Sequence, residues 1–309
     1  MKKKILIVGG TGFIGFNLIK KLDKRKFEIF SLSRNKPKND KKVSYVKYIY
    51  CNISNTKKLN YLFKKKFFDY VINFGGDIDH KNKFKVYESH YVGTKNLANI
   101  FKKKKIKKFI QIGSSIENGK IKSPQRVNIV KKSSELKSYY GRSKHLATKY
   151  LLSLHKKFFF PTTIFRLFQV YGPHQDTSRL IPFVISNCIQ DKNFPCSSGA
   201  QYRDFIYVDD VNDLIIKSLN NSESNGKVLN VASGKAIKVK KVILDIKNII
   251  NKGNPEFGKI KMRKDEINKI SANIKLTKKI FDWKAKIVFE DGIKKTIKYF
   301  KKKDEKKTK

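Results

Sequence analysis

Tyr140 and Lys144 stand four residues apart, with a glycine, an arginine and a serine between them. On a helix, this spacing places both side chains on one face. A phenol alone has a pKa of about 10 and is a poor acid–base group at neutral pH. A lysine ammonium within reach would stabilise the phenolate and lower that pKa. The spacing therefore predicts an acid–base tyrosine, although chance also produces it often in a chain with 14 tyrosines and 63 lysines.

Two serines precede this pair, at the end of an apolar segment. Ser114 and Ser115 follow Ile112 and Gly113, where a strand is predicted to end. Ligands of open α/β sheets bind beyond the carboxyl ends of the strands, so a hydroxyl there can hydrogen-bond a carbonyl oxygen beside the tyrosine. The alternative for either serine is a helix cap or a turn.

The N-terminal segment carries a glycine motif that follows a predicted strand and opens a predicted helix. Glycines at this spacing allow a tight turn, a close approach of the backbone to a pyrophosphate, and close packing of helix on strand. The first amides of the helix point toward the phosphates. We therefore predict dinucleotide binding rather than an ordinary strand-to-helix turn. The residues concerned are Gly9, Gly12, Phe13, Ile14 and Gly15.

The choice of cofactor is read about 20 residues further on, where an acid would hold the ribose 2′-hydroxyl of NAD. Ser33 stands at that position and Arg34 follows it. A hydroxyl and a guanidinium suit a 2′-phosphate, which favours NADP over NAD unless Arg34 is merely exposed to solvent. Asn52 and Ile53, after the third predicted strand, are candidates for contacts with adenine.

These candidates lie between short apolar runs that alternate with helical patterns. Such alternation predicts an α/β protein with a doubly wound parallel sheet and helices on both faces. The candidate strands are Lys4–Gly9, Glu28–Leu32, Val43–Tyr50, Tyr70–Phe74, Lys108–Ile112, Thr162–Phe168, Phe205–Val208 and Val228–Val231. The candidate helices are Ile14–Lys24, Thr56–Lys65, Lys83–Lys103, Tyr139–Lys156 and Val211–Leu219. After Gly234 we expect short helices and turns, with a charged tail over residues 301–309 that frays.

The 309 residues carry a formal net charge of +46, which first suggests a nucleic-acid partner. However, 63 of the 71 basic residues are lysines, whereas arginine makes the better phosphate and base contacts. We therefore interpret the lysines as a solvated coat and expect no nucleic-acid partner. One window departs from this pattern, because residues 159–216 hold a single lysine, which points to a site there. The arginines of this window are Arg166, Arg179 and Arg203.

Cysteine usage and hydropathy predict a cytoplasmic protein. Three scattered cysteines are too few for a disulfide framework or a zinc cluster, so we expect a reducing compartment and no metal. The apolar run after the N-terminal lysines has four residues, too short for the core of a signal peptide. No stretch approaches the length of about 18 apolar residues that a membrane span needs.

Taken in order, these motifs resemble the extended short-chain dehydrogenase/reductase family, in its NAD-dependent epimerase/dehydratase group that acts on nucleotide sugars. Further similar segments lie at residues 71–76, 92–97, 165–173 and 202–210. The resemblance implies a Rossmann domain built from residues 1–172 and 205–233. A smaller C-terminal substrate lobe would comprise residues 173–204 and 234–309. A homodimer through helices 83–103 and 139–156 is also implied.

The resemblance also assigns roles to individual residues. The catalytic triad would be Ser114, Tyr140 and Lys144, the last two of which would also contact the cofactor. Phe74 and Gly75 would join the cofactor site. The residues implied to bind the substrate are Ser115, Gln169, Arg179, Arg203 and Arg263. Arg203 would hold the substrate pyrophosphate, with Arg263 as a second candidate, because a guanidinium binds phosphate in a bidentate manner.

One departure from the family pattern narrows the reaction. Dehydratases of this family carry an Asp-Glu pair for elimination where this chain has Ser115 and Ile116, so 4,6-dehydration is not expected. The segment Gly113–Glu117 looks most like reductases of nucleotide-linked 4-keto-6-deoxy sugars. We therefore predict an NADP-preferring 4-ketoreductase in deoxysugar or surface polysaccharide biosynthesis. The alternatives are an NAD-dependent nucleotide-sugar 4-epimerase and, from another class, a dinucleotide-sensing or RNA-binding Rossmann protein without the triad's chemistry.

Overall fold

The computed structural model describes residues 1–77, 82–262 and 266–308, with side chains through residue 305. Its strands are β1 (Lys3–Val8), β2 (Phe27–Ser33), β3 (Lys47–Tyr50), β4 (Tyr70–Asn73), β5 (Lys108–Ser114), β6 (Thr162–Leu167), β7 (Gln169–Tyr171), β8 (Asn193–Cys196), β9 (Tyr202–Tyr207), β10 (Lys227–Val231), β11 (Ala236–Lys238), β12 (Asn254–Phe257) and β13 (Lys269–Ile270). Seven of them form a parallel sheet in the order β10-β6-β5-β4-β1-β2-β3. This order reverses at β1, which confirms the predicted Rossmann-type, doubly wound sheet.

The helices are α1 (Phe13–Lys21), α2 (Thr56–Phe63), α3 (Lys83–Tyr87), α4 (Gly93–Lys102), α5 (Tyr139–Phe158), α6 (Leu180–Ile189), α7 (Val208–Ser218), α8 (Val239–Ile250), α9 (Lys275–Phe281) and α10 (Phe289–Thr308). Successive residues of β1 supply opposite faces of the sheet. Ile5 and Ile7 pack with α1 and α7, whereas Leu6 and Val8 pack with α2, α4 and α5. Burial on both faces explains why β1 reads as a continuous apolar run rather than an alternating one.

A second, four-stranded sheet lies beyond the carboxyl end of β6. Its path runs β11-β9-β13, and β7 also pairs with β9. The predicted strand over residues 205–208 therefore belongs to this second sheet and not to the main one, since β9 pairs with β7 in parallel. Helices α6, α8 and α10 supply the apolar residues that cover this second unit.

Two helical regions also differ from the sequence prediction. The predicted helix over residues 83–103 is interrupted by a π-helical turn, Glu88–Val92, between α3 and α4. The C-terminal part is more helical than expected, because α8 has 12 residues and α10 has 20. Helix α10 continues through the charged tail to Thr308, since its apolar residues Ile293, Ile297 and Phe300 are buried against the second unit.

One buried carboxylate ties the two sheets together. Asp204 of β9 accepts hydrogen bonds from the backbone amides of Ser233, Gly234 and Ala272, at 2.9, 3.1 and 3.0 Å. The Ser233 hydroxyl donates a further bond at 2.6 Å. Ser233 and Gly234 follow β10 of the main sheet, so one side chain joins that strand's end to the second sheet.

No helix in the described part of the chain is long and apolar enough to cross a membrane.

Candidate active site

The phosphate loop, residues 9–15, occupies the carboxyl end of β1. Gly9 adopts a φ of +78°, a left-handed conformation that L side chains rarely take. A Cβ added at Gly15 would lie 2.5 Å from the Gly9 carbonyl oxygen, so the helix packs against the loop only because Gly15 has no side chain. Gly12 caps α1 without a side chain, which leaves the amides of the first turn pointing into the loop. The loop therefore fits a pyrophosphate.

Two segments after other strands flank this loop. A Cβ on Gly9 would lie 3.2 Å from the Phe74 carbonyl carbon, so the predicted residues Phe74 and Gly75 border the loop directly. Ile53 is buried, and it packs against the backbone of Gly75. Asn52 is exposed, and its carboxamide oxygen accepts the amide of Ser54 at 3.2 Å.

The end of β2 carries a charge pair that the sequence did not indicate. The Ser33 hydroxyl donates to the Asn35 carbonyl oxygen at 2.7 Å. Arg34 Nη1 lies 3.0 Å from Asp77 Oδ2, where Asp77 follows β4. The guanidinium side chain is 53% exposed, whereas that of Asp77 is 9% exposed. The predicted specificity residue is thus already paired with a carboxylate.

The three predicted catalytic residues come from β5 and α5. Ser114 ends β5, and the side chain of Ser138 caps α5 by accepting the Gly141 amide at 3.0 Å. The first turns of α5 then place Tyr140 and Lys144 beside the end of β5. Ser114 and Tyr140 share a side-chain hydrogen bond. Lys144 Nζ lies 5.8 Å from the centre of the Tyr140 ring and donates to the Ile112 carbonyl oxygen at 2.6 Å.

Burial dominates the electrostatics of this group. Desolvation raises the pKa of Tyr140 to about 12, against the lowering effects of the Ser114 hydrogen bond and of the Arg179 charge. Desolvation also lowers the pKa of Lys144 to about 8, although the Glu117 charge opposes this. Tyr140 therefore holds its proton at neutral pH, while Lys144 is close to losing its own.

A fully buried ion pair between Glu117 and Arg166 holds the backbone of Ser114 in place. The sequence assigned no such role to either residue. Glu117 accepts the Ser114 amide at 2.8 Å and the Thr148 hydroxyl at 2.6 Å. Its other partner is Arg166 of β6, at 3.5 Å, and neither side chain is exposed. Asn118 accepts a hydrogen bond from Arg166 at 2.6 Å. Arg166, a member of the lysine-poor window, thus positions the site rather than contacting a ligand.

His90 is a second residue to which the sequence assigned no role at the site. Its ring meets the Tyr140 ring edge to face, with centroids 5.0 Å apart. The ring Nε2 lies 3.1 Å from the Asp77 carbonyl oxygen. From the π-helical turn, four residues before Thr94, His90 links the loop after β4 to Tyr140. A helical period alone could not reveal this contact, because the turn shifts the register of the side chains.

The predicted substrate residues do not all gather at the triad. Arg179 is close enough to lower the pKa of Tyr140 through its charge. Arg203 is largely buried and forms an ion pair with Glu266 across β9 and the loop before β13. Gln169 is exposed on β7, and Ser115 starts the turn that follows Ser114. Arg263 lies outside the described residues.

The phosphate loop and the triad share one edge of the main sheet, at the carboxyl ends of β1 and β5. A dinucleotide site beside a tyrosine that keeps its proton defines an NAD(P)-dependent enzyme of the Rossmann type. A model of the NAD-dependent epimerase/dehydratase family matches residues 5–232, and the chain belongs to that family.

Similar proteins within the family differ in reaction. CDP-abequose synthase of Salmonella muenchen is 26% identical over 304 residues, which cover 96% of this chain and 98% of that protein. The dTDP-D-glucose 4,6-dehydratase of Mus musculus is 27% identical over 333 residues, covering 97% and 89%. The structure of UDP-glucose 4-epimerase from Thermotoga maritima superimposes with a TM-score of 0.87 at 22% identity, over 97% of this chain and 99% of that one. The last likeness supports the fold.

Proposed function

We propose that this protein reduces the 4-keto group of a nucleotide-activated 4-keto-6-deoxy sugar, with NADP as the preferred cofactor. The observation that carries the proposal is the protonated Tyr140 hydrogen-bonded to Ser114. Reduction of a ketone needs a proton donor at the carbonyl oxygen, and a phenol with a pKa of about 12 is still protonated at neutral pH. The likeness to CDP-abequose synthase over nearly the whole chain supports the same reaction class.

The roles of the residues follow from their contacts. When bound, the reduced nicotinamide supplies the hydride that is added to C4. Ser114 orients and polarises the carbonyl, and Tyr140 transfers its phenolic proton to the carbonyl oxygen as the alcohol forms. Lys144 stabilises the resulting phenolate and holds the ribose of the cofactor. Arg203 and Arg179 are proposed to bind the substrate pyrophosphate, for which Arg203 has to exchange its contact with Glu266.

The neighbourhood of Ser114 argues against dehydration. Elimination of water needs a free acid and a free base close to the triad. Glu117 is the nearby carboxylate of this segment, and both of its oxygens accept hydrogen bonds from the protein. It is also fully buried. Ile116 is exposed beside it and has no acid–base chemistry.

Arg34 supports the NADP preference, because its guanidinium lies at the end of β2 and is the side chain there that suits a 2′-phosphate. NAD is the alternative cofactor, since the family is described as NAD dependent.

The test uses the purified protein with NADPH and either CDP- or dTDP-4-keto-6-deoxyglucose. We expect the absorbance of the reduced nicotinamide to disappear with one of the two substrates. No oxidation of NADPH or NADH with any nucleotide form would overturn the proposal. A thermal shift screen of CDP, dTDP, GDP and UDP identifies the base, since a bound nucleotide raises the melting temperature.

The alternative is a 4-epimerase, which the shared triad equally permits. An epimerase regenerates its cofactor in each cycle and retains it, whereas a reductase releases it. Purified protein that carries about one tightly held NAD per chain and consumes no external NADPH would favour the epimerase. Protein that is isolated free of nucleotide would favour the reductase.

A further inference from the structure

We propose that Asp77 is a cofactor-specificity residue whose carboxylate, paired with Arg34, opposes binding of the 2′-phosphate of NADP. The Asp77–Arg34 pair therefore makes the preference for NADP over NAD weaker than Arg34 alone would make it. This inference rests on the proposed function only in that it places a dinucleotide at the phosphate loop. It concerns binding and makes no use of the sugar substrate.

The topology places the pair across the cofactor site. In the sheet order, β1 lies between β4 and β2. Arg34 directly follows β2 and Asp77 follows β4 by four residues. Their contact at 3.0 Å therefore spans the carboxyl end of β1, where the phosphate loop begins. A nucleotide that extends from the loop toward the end of β2 meets both charges.

The side chains of Asp77 and Arg34 differ in how freely they can move. The Asp77 amide donates to the Ser89 hydroxyl at 2.9 Å, and its carbonyl oxygen lies 3.1 Å from the His90 ring. These contacts fix the Asp77 backbone, and burial restricts the movement of its carboxylate. The Arg34 side chain is 53% exposed and can turn away. When a ligand competes for the guanidinium, the arginine moves and the carboxylate stays behind.

The chemistry of the two cofactors then separates them. A 2′-phosphate carries close to two negative charges, so it has to take Arg34 from Asp77 and is repelled by the carboxylate that remains. The 2′-hydroxyl of NAD is neutral and can donate a hydrogen bond to a carboxylate. The Ser33 hydroxyl does not compensate, because it donates to Asn35. Asp77 thus acts against NADP and does not act against NAD.

The experiment measures binding of NADP+, NAD+ and 2′,5′-ADP to the full chain by calorimetry, with Asp77→Asn as the variant. Asparagine keeps the shape and a hydrogen bond to Arg34 but removes the charge. We expect NADP+ and 2′,5′-ADP to bind roughly 3- to 5-fold more tightly, the upper part of the range that a partly exposed charge interaction gives. Binding of NAD+ should change less than about twofold.

The matched control is Asp213→Asn, which removes the carboxylate of another ion pair, with Lys21 at 2.7 Å, on the outer face of α7. It should leave all three affinities unchanged. In an Arg34→Gln background, Asp77→Asn should still strengthen NADP+ binding, because the carboxylate repels the 2′-phosphate whether or not the guanidinium is present.

Three results would overturn the proposal. Weaker binding of NADP+ in Asp77→Asn would mean that the carboxylate positions Arg34 for the phosphate instead of opposing it. An unchanged ratio of NADP+ to NAD+ affinity, or no binding of either nucleotide, would remove Asp77 from cofactor choice. Absence of ketoreductase activity leaves these binding outcomes untouched, so the two failures are distinguishable.

Discussion

At the scale of single residues, the proposed site brings together three side chains, two of which have pKa values shifted by burial. Tyr140 keeps its proton because burial raises its pKa to about 12. Lys144 is poised near neutrality because the same desolvation lowers its pKa to about 8. Ser114 joins them through its hydrogen bond to the phenol. Tyr140 can therefore donate a proton at neutral pH, and we expect the rate of that transfer to depend on the charge of Lys144.

Removal of the phenolic hydroxyl tests the role of Tyr140. Tyr140→Phe should lower kcat by roughly 1,000-fold or more, because the proton donor is lost while the ring remains. The affinity for NADP+ should change less than about threefold, as measured by calorimetry. The control is Tyr139→Phe, at the exposed neighbouring position, which should behave like the wild type. Residual turnover near the wild-type rate would contradict the assignment.

The pKa of Lys144 predicts the pH dependence. Its folded-state pKa is lowered to about 8, so the ammonium is present below that pH and is lost above it. The value of kcat/KM for the reduced cofactor, which reports on the free enzyme, should be level below pH of about 8 and fall tenfold per unit above it. In Lys144→Arg, whose guanidinium stays charged, this fall should disappear. A wild-type profile that stays level to high pH would contradict the prediction.

At the scale of elements, the position of Ser114 depends on a turn and on the strand behind it. The 3₁₀ turn Ser115–Asn118 is closed by a capping box between Ser114 and Glu117. Glu117 in turn contacts Arg166 of β6, so the end of β5 is joined to its neighbouring strand through a fully buried charge pair. The proposed catalytic serine is thus oriented by two side chains that are fully buried.

Loss of the Glu117 charge should lower the free energy of unfolding. Glu117→Gln leaves Arg166 buried without its counter-charge, which should cost about 3–5 kcal/mol in the free energy of unfolding. Urea unfolding followed by circular dichroism measures this. The double variant Glu117→Gln with Arg166→Met should lose less than the single one, because no uncompensated charge remains. A single variant within about 1 kcal/mol of the wild type would contradict the argument.

The same elements show what a sequence can predict. Local spacings are sufficient for the phosphate loop and for the pair Tyr140 and Lys144, since each lies within one strand-to-helix turn or one helix. The pairing of Arg34 with Asp77 joins residues that are 43 positions apart, and Arg203 meets Glu266 across 63 positions. No local pattern encodes these contacts. Residues 205–207 read as another strand of the main sheet because hydrophobic periodicity gives a strand but not its partner.

At the scale of the whole molecule, most of the positive charge lies on lysines outside the segment 159–216. The lysine-poor window includes β6 and β9, which are almost entirely buried, and α6, whose inner face is buried. Burial therefore explains much of the absence of lysine, because a lysine is rarely buried without a partner. The net charge of +46 lies mainly outside this window, where it raises the positive potential that an anionic substrate meets.

The charge predicts a dependence on salt. If the positive field attracts the nucleotide sugar, kcat/KM should fall roughly fivefold between about 20 and 200 mM sodium chloride, because the Debye length shortens over this range. The value of kcat at saturating substrate should stay nearly constant. Sucrose at matched osmotic strength serves as the control, since it adds no screening ions. An unchanged kcat/KM would show that the lysine coat does not steer the substrate.

Asp204 has a consequence for how the enzyme handles its substrate. This one carboxylate holds the loop after β10 and the segment before α9 to β9, so the two sheets are tied together at that junction. Closure of one sheet over the other would therefore have to break four hydrogen bonds to one buried carboxylate. We therefore expect the two sheets to keep their relative position through the catalytic cycle, with access to the site controlled by short loops and side chains. Changes in substrate choice between relatives would then arise by exchange of loop residues, while the two sheets keep this arrangement.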